Sequence, residues 1–319
     1  MKKLVALLLC LAFVLSLASC SDRKDPNHNL STSVSVGYLS GTTGLGMSKL
    51  ISDVGADENA NITFKKYDSP ALIMAAVATG EIDLACLPTN AFPKFYNEMS
   101  QSIQIAAINT LGVLYLATSG VSIESISDLS GKTLYVPESA PKLVLNYLIN
   151  LYEVENVTIS MEYDLDTLPA AIASGAVSIA LLPEPKLTVA SNLAKQNDNT
   201  LNVALDLSTL WSAKSDSPLV QGALLVSSSF AAENPDTVDE FLALYKDSIE
   251  FMTDASNLDL AAEYAVNAGI LPNINVAKTA IPRCNLAFIS GADMKTAAEG
   301  FFSALGIAIP SGNWYYAGN

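Results

Sequence analysis

The stretch Ala75-Ala76-Val77-Ala78-Thr79-Gly80-Glu81-Ile82-Asp83-Leu84-Ala85-Cys86-Leu87-Pro88 recurs without a gap as Ala170-Ala171-Ile172-Ala173-Ser174-Gly175-Ala176-Val177-Ser178-Ile179-Ala180-Leu181-Leu182-Pro183, at a constant offset of 95. Each copy reads as an alanine-rich helix, a glycine where that helix stops, an apolar strand buried on both faces, and a proline that opens a loop. A helix running into such a strand is half of a βαβ unit. The strands that complete the units are Ile62 to Tyr67 and Val157 to Tyr163. Farther upstream, Val34 to Leu39 runs into Gly41-Thr42-Thr43-Gly44, and Thr133 to Val136 runs into Glu138-Ser139-Ala140-Pro141. Both halves therefore predict strand and helix in alternation, the pattern of a doubly wound, mostly parallel α/β sheet. A chain of 319 residues also exceeds the usual single core of about 100 to 200 residues, so two lobes are expected.

Two strands connect the halves in the most economical reading. Val113 to Thr118 carries the chain out of lobe one, and Gly222 to Ser228 carries it back. This places lobe one at 33–118 and 222–319 and lobe two at 119–221. After the return, helices are expected from Asn234-Pro235 to about Met252, over Leu258 to Asn267 and over Ala292 to Leu305. Two crossings would let the lobes hinge.

In an open parallel sheet, ligands bind beyond the carboxyl ends of the strands, where loops enter helix N-termini and present free amide donors. In lobe one these loops hold Ser40, Gly41, Thr42 and Thr43, then Ser69, then Thr89 and Asn90; Asn109, directly after a strand expected over Gln104 to Ile108, is a further candidate. In lobe two they hold Glu138, Ser139 and Ala140, then Asp164 to Thr167, then Glu184 and Pro185. The repeat puts Thr89-Asn90 and Glu184-Pro185 at equivalent positions, so facing lobes would bring both to one cleft. Short hydroxyl and amide side chains suit a small polar molecule held by hydrogen bonds; they equally suit plain helix capping. Trp211 is the candidate for stacking on an aromatic ligand, ahead of Trp314, Tyr315 and Tyr316, although packing is the default role of such rings. Arg283 could meet an acidic ligand or form an ion pair.

The composition removes several chemistries. The sole histidine, His28, falls in a polar N-terminal segment, which leaves no Ser-His-Asp site and no zinc signature. The run Gly41 to Gly46 lacks the lysine and spacing of a phosphate-binding loop. A formal charge of −15 argues against nucleic acid as a partner. Carboxylate acid/base chemistry stays open in principle, though no pair of acids is singled out. No metal and no cofactor are expected.

The opening of the chain has the parts of an export signal: Lys2 and Lys3, an apolar run from Leu4 to Val14, then Leu17-Ala18-Ser19-Cys20. The run is short of the roughly 20 residues that span a bilayer, and the tetrapeptide resembles a bacterial lipobox. Residues 1–19 are expected to be removed, Cys20 to carry lipid, and 20–32 to form a flexible tether. Of the later cysteines, Cys86 and Cys284 are read as buried thiols, with pairing the alternative.

Gly80-Glu81-Ile82-Asp83 with Leu87-Pro88-Thr89-Asn90, Ile126-Ser127-Asp128-Leu129-Ser130-Gly131-Lys132-Thr133, Leu182-Pro183-Glu184-Pro185, and Phe230 to Phe241 with Asn234-Pro235 together resemble the substrate-binding lipoproteins of ABC importers. The group resembled includes binders of nitrate, sulfonates, taurine and thiamine precursors, and it excludes the pyrimidine-synthesising relatives, whose cysteine cluster is missing here. The resemblance implies a two-lobed type II periplasmic-binding fold with two hinge crossings, closing on a small polar or anionic ligand. The implied partners are an ABC permease with its ATPase. It also implies a monomer held at the outer face of the cell membrane by its lipid alone, in an envelope of Gram-positive type. An extracytoplasmic enzyme on the same fold and a ligand-sensing lipoprotein are the alternatives.

Overall fold

A computed structural model describes residues 28–137 and 139–318; Cys20 and the signal segment 1–19 lie outside the described residues. The strands are β1 Val34–Leu39, β2 Ile62–Tyr67, β3 Leu84–Pro88, β4 Ile103–Leu111, β5 Leu114–Ser119, β6 Thr133–Tyr135, β7 Thr158–Ser160, β8 Ile179–Pro183, β9 Leu201–Asp206, β10 Val220–Ser227 and β11 Leu286–Ile289. The helices are α1 Thr42–Leu45, α2 Ser48–Ala56, α3 Pro70–Ala78, α4 Phe92–Glu98, α5 Ser139–Leu151, α6 Leu168–Ala173, α7 Lys186–Gln196, α8 Leu207–Ser212, α9 Ser228–Glu233, α10 Pro235–Thr253, α11 Leu258–Asn267, α12 Ile274–Ala280 and α13 Gly291–Ala304. Among the described residues no helix is long and apolar enough to cross a membrane.

The strands form two sheets, ordered β11-β4-β10-β3-β1-β2 in lobe one and β7-β6-β8-β5-β9 in lobe two. Both are mixed, and the reason lies in the crossings. β4 ends at the carboxyl edge of the first sheet, the chain passes through Gly112 and Val113, and β5 must enter the second sheet from its carboxyl edge. It therefore runs antiparallel to both neighbours, β8 and β9. The return does the same: β10 enters lobe one from the cleft side and runs antiparallel to β3 and β4. Leu114 to Thr118, read from sequence as a connector belonging to lobe one, is instead paired entirely within the second sheet. The outward crossing is thus only Gly112-Val113, because the apolar strand that follows finds its partners beside β8.

The repeated segments fold alike down to single hydrogen bonds. Helix α3 ends at Thr79, whose hydroxyl donates to the Ala76 carbonyl at 3.1 Å; α6 ends at Ser174, whose hydroxyl donates to Ala171 at 3.0 Å. Gly80 and Gly175 then take φ values of +73° and +78°, a conformation that L side chains resist. The amides of Glu81 and Ala176 each close the turn at 2.9 Å onto the same two carbonyls. Strands β3 and β8 follow, buried except at their final prolines.

Helix α10 shows how the outer layer is held. Val238, Phe241, Leu242, Tyr245, Ile249 and Met252 recur at three- and four-residue spacing and are buried, the stripe of an amphipathic helix packed on a sheet. Each such side chain contributes about 1.5–3 kcal/mol on burial.

The N-terminal segment is folded, not free, at its far end. His28 and Leu30, placed by sequence in the flexible tether, are buried on lobe one. The side chain of Asn61 accepts from the Leu30 amide at 2.8 Å and donates to its carbonyl at 2.9 Å, and the His28 Nδ1 lies 3.1 Å from Asp57. The histidine therefore belongs to the folded body, beside the amino ends of β1 and β2.

Candidate ligand-binding cleft

The loops beyond the carboxyl ends of β1 and β8 come close to each other across the two sheets. A Cβ built on Gly41, after β1, would stand 4.0 Å from Cδ of Pro185, after β8. Gly41 has φ +88°, which glycine alone adopts without strain. Its amide donates to Ile270 at 3.1 Å, and the Ser40 hydroxyl donates to Gly269 at 3.3 Å. The next two carbonyls are gripped from β4: Thr110 Oγ1 donates to Thr42 at 3.3 Å and Asn109 Nδ2 to Thr43 at 3.1 Å.

Asn109 is wholly committed to this work. Its amide also donates to the Cys86 sulfur at 3.3 Å and its oxygen accepts from Thr110 at 2.9 Å. A Cβ on Gly222 would lie 2.3 Å from that oxygen, so the bare glycine of β10 is what allows the buried amide its place. Asn109 positions the loop at Thr42 and Thr43. Ser69 is a helix cap, accepting from the Leu72 amide at 3.3 Å. Thr89 is fully buried and its hydroxyl has no partner among the described residues; Asn90 beside it is half-buried. In lobe two, Glu138 and the side chains of Ser139 and Ala140 lie outside the described residues.

Glu184 is buried, with both carboxylate oxygens engaged. Thr188 Oγ1 donates to Oε1 at 3.0 Å and the Thr188 amide to Oε2 at 3.2 Å. Arg283 Nη1 approaches Oε1 at 3.5 Å. Burial pushes the carboxyl up from its ordinary range, against the pull of the Thr188 bonds and the Arg283 charge. The alternatives weighed for Arg283 thus resolve to an ion pair whose acid is buried on the other lobe, a contact that spacing in the sequence could not reveal.

Trp211 does not line the cleft. It is fully buried, its ring packs between Tyr147 and Phe301 at centroid distances of 4.7 and 6.1 Å, and its N–H donates to the Ser217 carbonyl at 2.6 Å. The indole is consumed by packing at the junction of the lobes, because the ring is fully buried and its polar atom is already bonded. Trp314 and Tyr316 are likewise packed, Tyr316 donating to Asp239 at 2.8 Å. Cys86 and Cys284 are both free and buried, and burial pushes the Cys86 thiol up to about 12.

An open groove of about 720 Å³ runs between α7 of lobe two and α12 of lobe one, lined by Val189, Asn192 and Gln196 on one side and Asn273, Asn275 and Lys278 on the other. Sequence reasoning did not reach it, since neither helix carries a motif.

Two lobes joined by two crossings define a bilobal α/β fold. Residues 56–256 match the family described as NMT1/THI5 like, and the chain belongs to that family. Its fold is similar to that of an ABC transporter protein from Parabacteroides distasonis, with 20% identity over 90% of this chain and 99% of that one and a TM-score of 0.74. It is also similar to the periplasmic aliphatic sulphonate-binding protein SsuA of Escherichia coli, with 15% identity over 86% and 88% of the two chains and a TM-score of 0.64. The periplasmic nitrate-binding protein NrtA of Synechocystis shares 12% identity over 77% and 68%, with a TM-score of 0.56. No curated protein matches the sequence.

Proposed function

We propose that this chain is the extracytoplasmic substrate-binding lipoprotein of an ABC importer. It captures a small polar or anionic molecule, of sulfonate-like, amino-acid-like or pyrimidine type, by closing its lobes, and hands it unchanged to a permease. The observation that supports the reading is the proximity of Gly41 to Pro185 from opposite sheets, where an added Cβ would stand 4.0 Å away; in this reading the strand-end loops of both lobes are the walls of one cleft. Thr89 supports it. A buried hydroxyl without a partner costs about 1–3 kcal/mol, which a ligand atom would recover.

Ser40 to Thr43, Ser69, Thr89, Asn90 and the loop at Glu138 to Ala140 are the proposed contacts, with Asn109 and Glu184 holding the loops in place. Cys20 bears the lipid and the chain works as a monomer. Since an anchor matters most where no outer membrane confines the carrier, a Gram-positive type of envelope is the setting proposed. His28 fixes the tether to lobe one at the amino ends of the strands, the edge opposite the cleft.

Mass spectrometry of the full chain, extracted from membranes in mild detergent, tests both halves of the reading. A diacylglycerol-modified Cys20 as the first residue and one co-purified small molecule, recovered unchanged, are expected. Conversion of that molecule by the protein would contradict the carrier role, and an unmodified Cys20 would contradict the anchor.

A further inference from the structure

The segment Arg283-Cys284-Asn285 joins two of the places where the lobes meet. It belongs to lobe one, between α12 and β11, and is anchored there by burial of Ile281 and Cys284. At its far end, Asn285 grips the outward crossing: its side-chain amide donates to the Gly112 carbonyl and its own carbonyl accepts from Leu111 at 2.9 Å. Gln221, at the start of the return crossing, accepts from the Val113 amide in the next peptide. At the near end, Arg283 reaches into lobe two. Its guanidinium pairs with Glu184 at 3.5 Å, and its carbonyl accepts from the Tyr115 hydroxyl at 3.0 Å. Val189, one turn beyond Glu184, packs on the apolar cluster of lobe one that contains Ile281 and Cys284.

We propose that Glu184, Tyr115 and Arg283 form an interlobe latch, and that Arg283-Cys284-Asn285 is the strap that transmits hinge rotation at Gly112-Val113 to it. The inference rests on the hinged-carrier reading. A charge pair of which one member is buried contributes little net stability but strongly disfavours arrangements that separate it. Opening the lobes removes the guanidinium from a carboxylate that Thr188 still holds in lobe two, whereas closing restores the pair together with the Tyr115 bond. Arg283 is a positioning residue: it sets which lobe angle brings Gly41 to Pro185. Asn285 sets where the chain bends.

Pulsed electron-spin distance measurement tests this on the full chain in detergent, with no compound added. Spin labels are placed through Glu58→Cys on lobe one and Glu155→Cys on lobe two, both exposed, while Cys86 and Cys284 are shielded by burial. In the parent, a short interlobe distance is expected. Arg283→Ala and Glu184→Gln each shift the distribution to longer distance, and Arg283→Lys, which keeps the charge, returns it towards the parent value. High salt moves the parent but not Glu184→Gln. An unshifted distribution in Arg283→Ala, with cooperative thermal unfolding retained, overturns the latch. If Asn285→Ala alone lengthens the distance, the lobes hinge without a latch and only this inference fails. If no variant moves the labels, the lobes are one rigid body and the hinged-carrier reading fails with it.

Discussion

Trp211 packs against Tyr147 with 4.7 Å between ring centroids, the rings tilted by 43°, and no surface left to solvent. Tyr147 lies on α5 of lobe two, while the other neighbour of the indole, Phe301, lies on α13 of lobe one. The ring is therefore a fixed point about which the lobes are joined. Large-to-small replacement of such a ring leaves a cavity and costs about 3–5 kcal/mol. Trp211→Ala should lower the midpoint of denaturant unfolding accordingly, while Trp211→Phe should cost less. A Trp211→Ala protein of parental stability would show that the ring is not a packing centre.

Gly222 gives a test of the clamp on the Thr42-Thr43 loop. An added methyl would sit 2.3 Å from Asn109 Oδ1 and 2.8 Å from Thr110 Oγ1, so both side chains that hold the Thr42-Thr43 loop must move. Gly222→Ala should destabilise by about 1–3 kcal/mol, as overpacking does, and should also weaken binding of the co-purified molecule. Calorimetric unfolding and ligand retention on gel filtration measure the two effects. Loss of stability with undiminished retention would separate Asn109 from the site.

The pH response of stability should divide by sign. Burial raises the titration of the Glu184 carboxyl, so this group favours the fold at low pH and that stabilisation is lost as pH rises from the usual carboxylate range through its raised value. Thr188 and Arg283 oppose that shift, and Cys284 and Tyr115, the latter beside Asp206, complete the surroundings. Asp128 acts oppositely. Its carboxylate accepts from the Glu124 and Ser125 amides at 2.9 Å each and is held below its usual range, so it stabilises above the unfolded value and is lost on acidification. In Glu184→Gln, unfolding free energy should no longer fall as pH rises just above the carboxylate range. In Asp128→Asn, the acid-side loss should shrink. Unchanged profiles would remove both groups as determinants.

Cys86 and Cys284 should resist alkylation in the native protein. Both are buried, and their thiols are pushed up by burial, so the reactive thiolate is scarce and inaccessible. Iodoacetamide labelling followed by mass spectrometry should proceed only at the rate of opening. Rapid modification of either would show that its surroundings breathe.

The layered architecture was legible because it is written locally. Gly80 and Gly175 stop equivalent helices, and uninterrupted apolar strands follow both. What the sequence could not supply depended on which strand lies beside which. Leu114 to Thr118 reads as a connector until β8 and β9 are seen on either side of it. His28 and Leu30 look like tether residues because Asn61, which binds them, is far away in the sequence. The loops at the strand ends were legible as loops, and a Cβ added to Gly41 would stand 4.0 Å from Pro185 Cδ. The roles within them were not, because hydroxyl and amide side chains serve caps, loop clamps and ligands with the same chemistry. Trp211 misled for a related reason, since a ring near a crossing can face a cleft or fill the joint, and only its packing partners decide.

Small-angle scattering of the full chain, with and without a compound that raises its melting temperature, tests lobe closure most directly. Sulfonates, amino acids, pyrimidines and oxyanions form the screening set. A compound that stabilises the protein should also reduce its radius of gyration, as the walls carrying Gly41 and Pro185 draw together. Stabilisation with an unchanged radius in both ligand-stripped and loaded protein would contradict capture by closure of the two lobes.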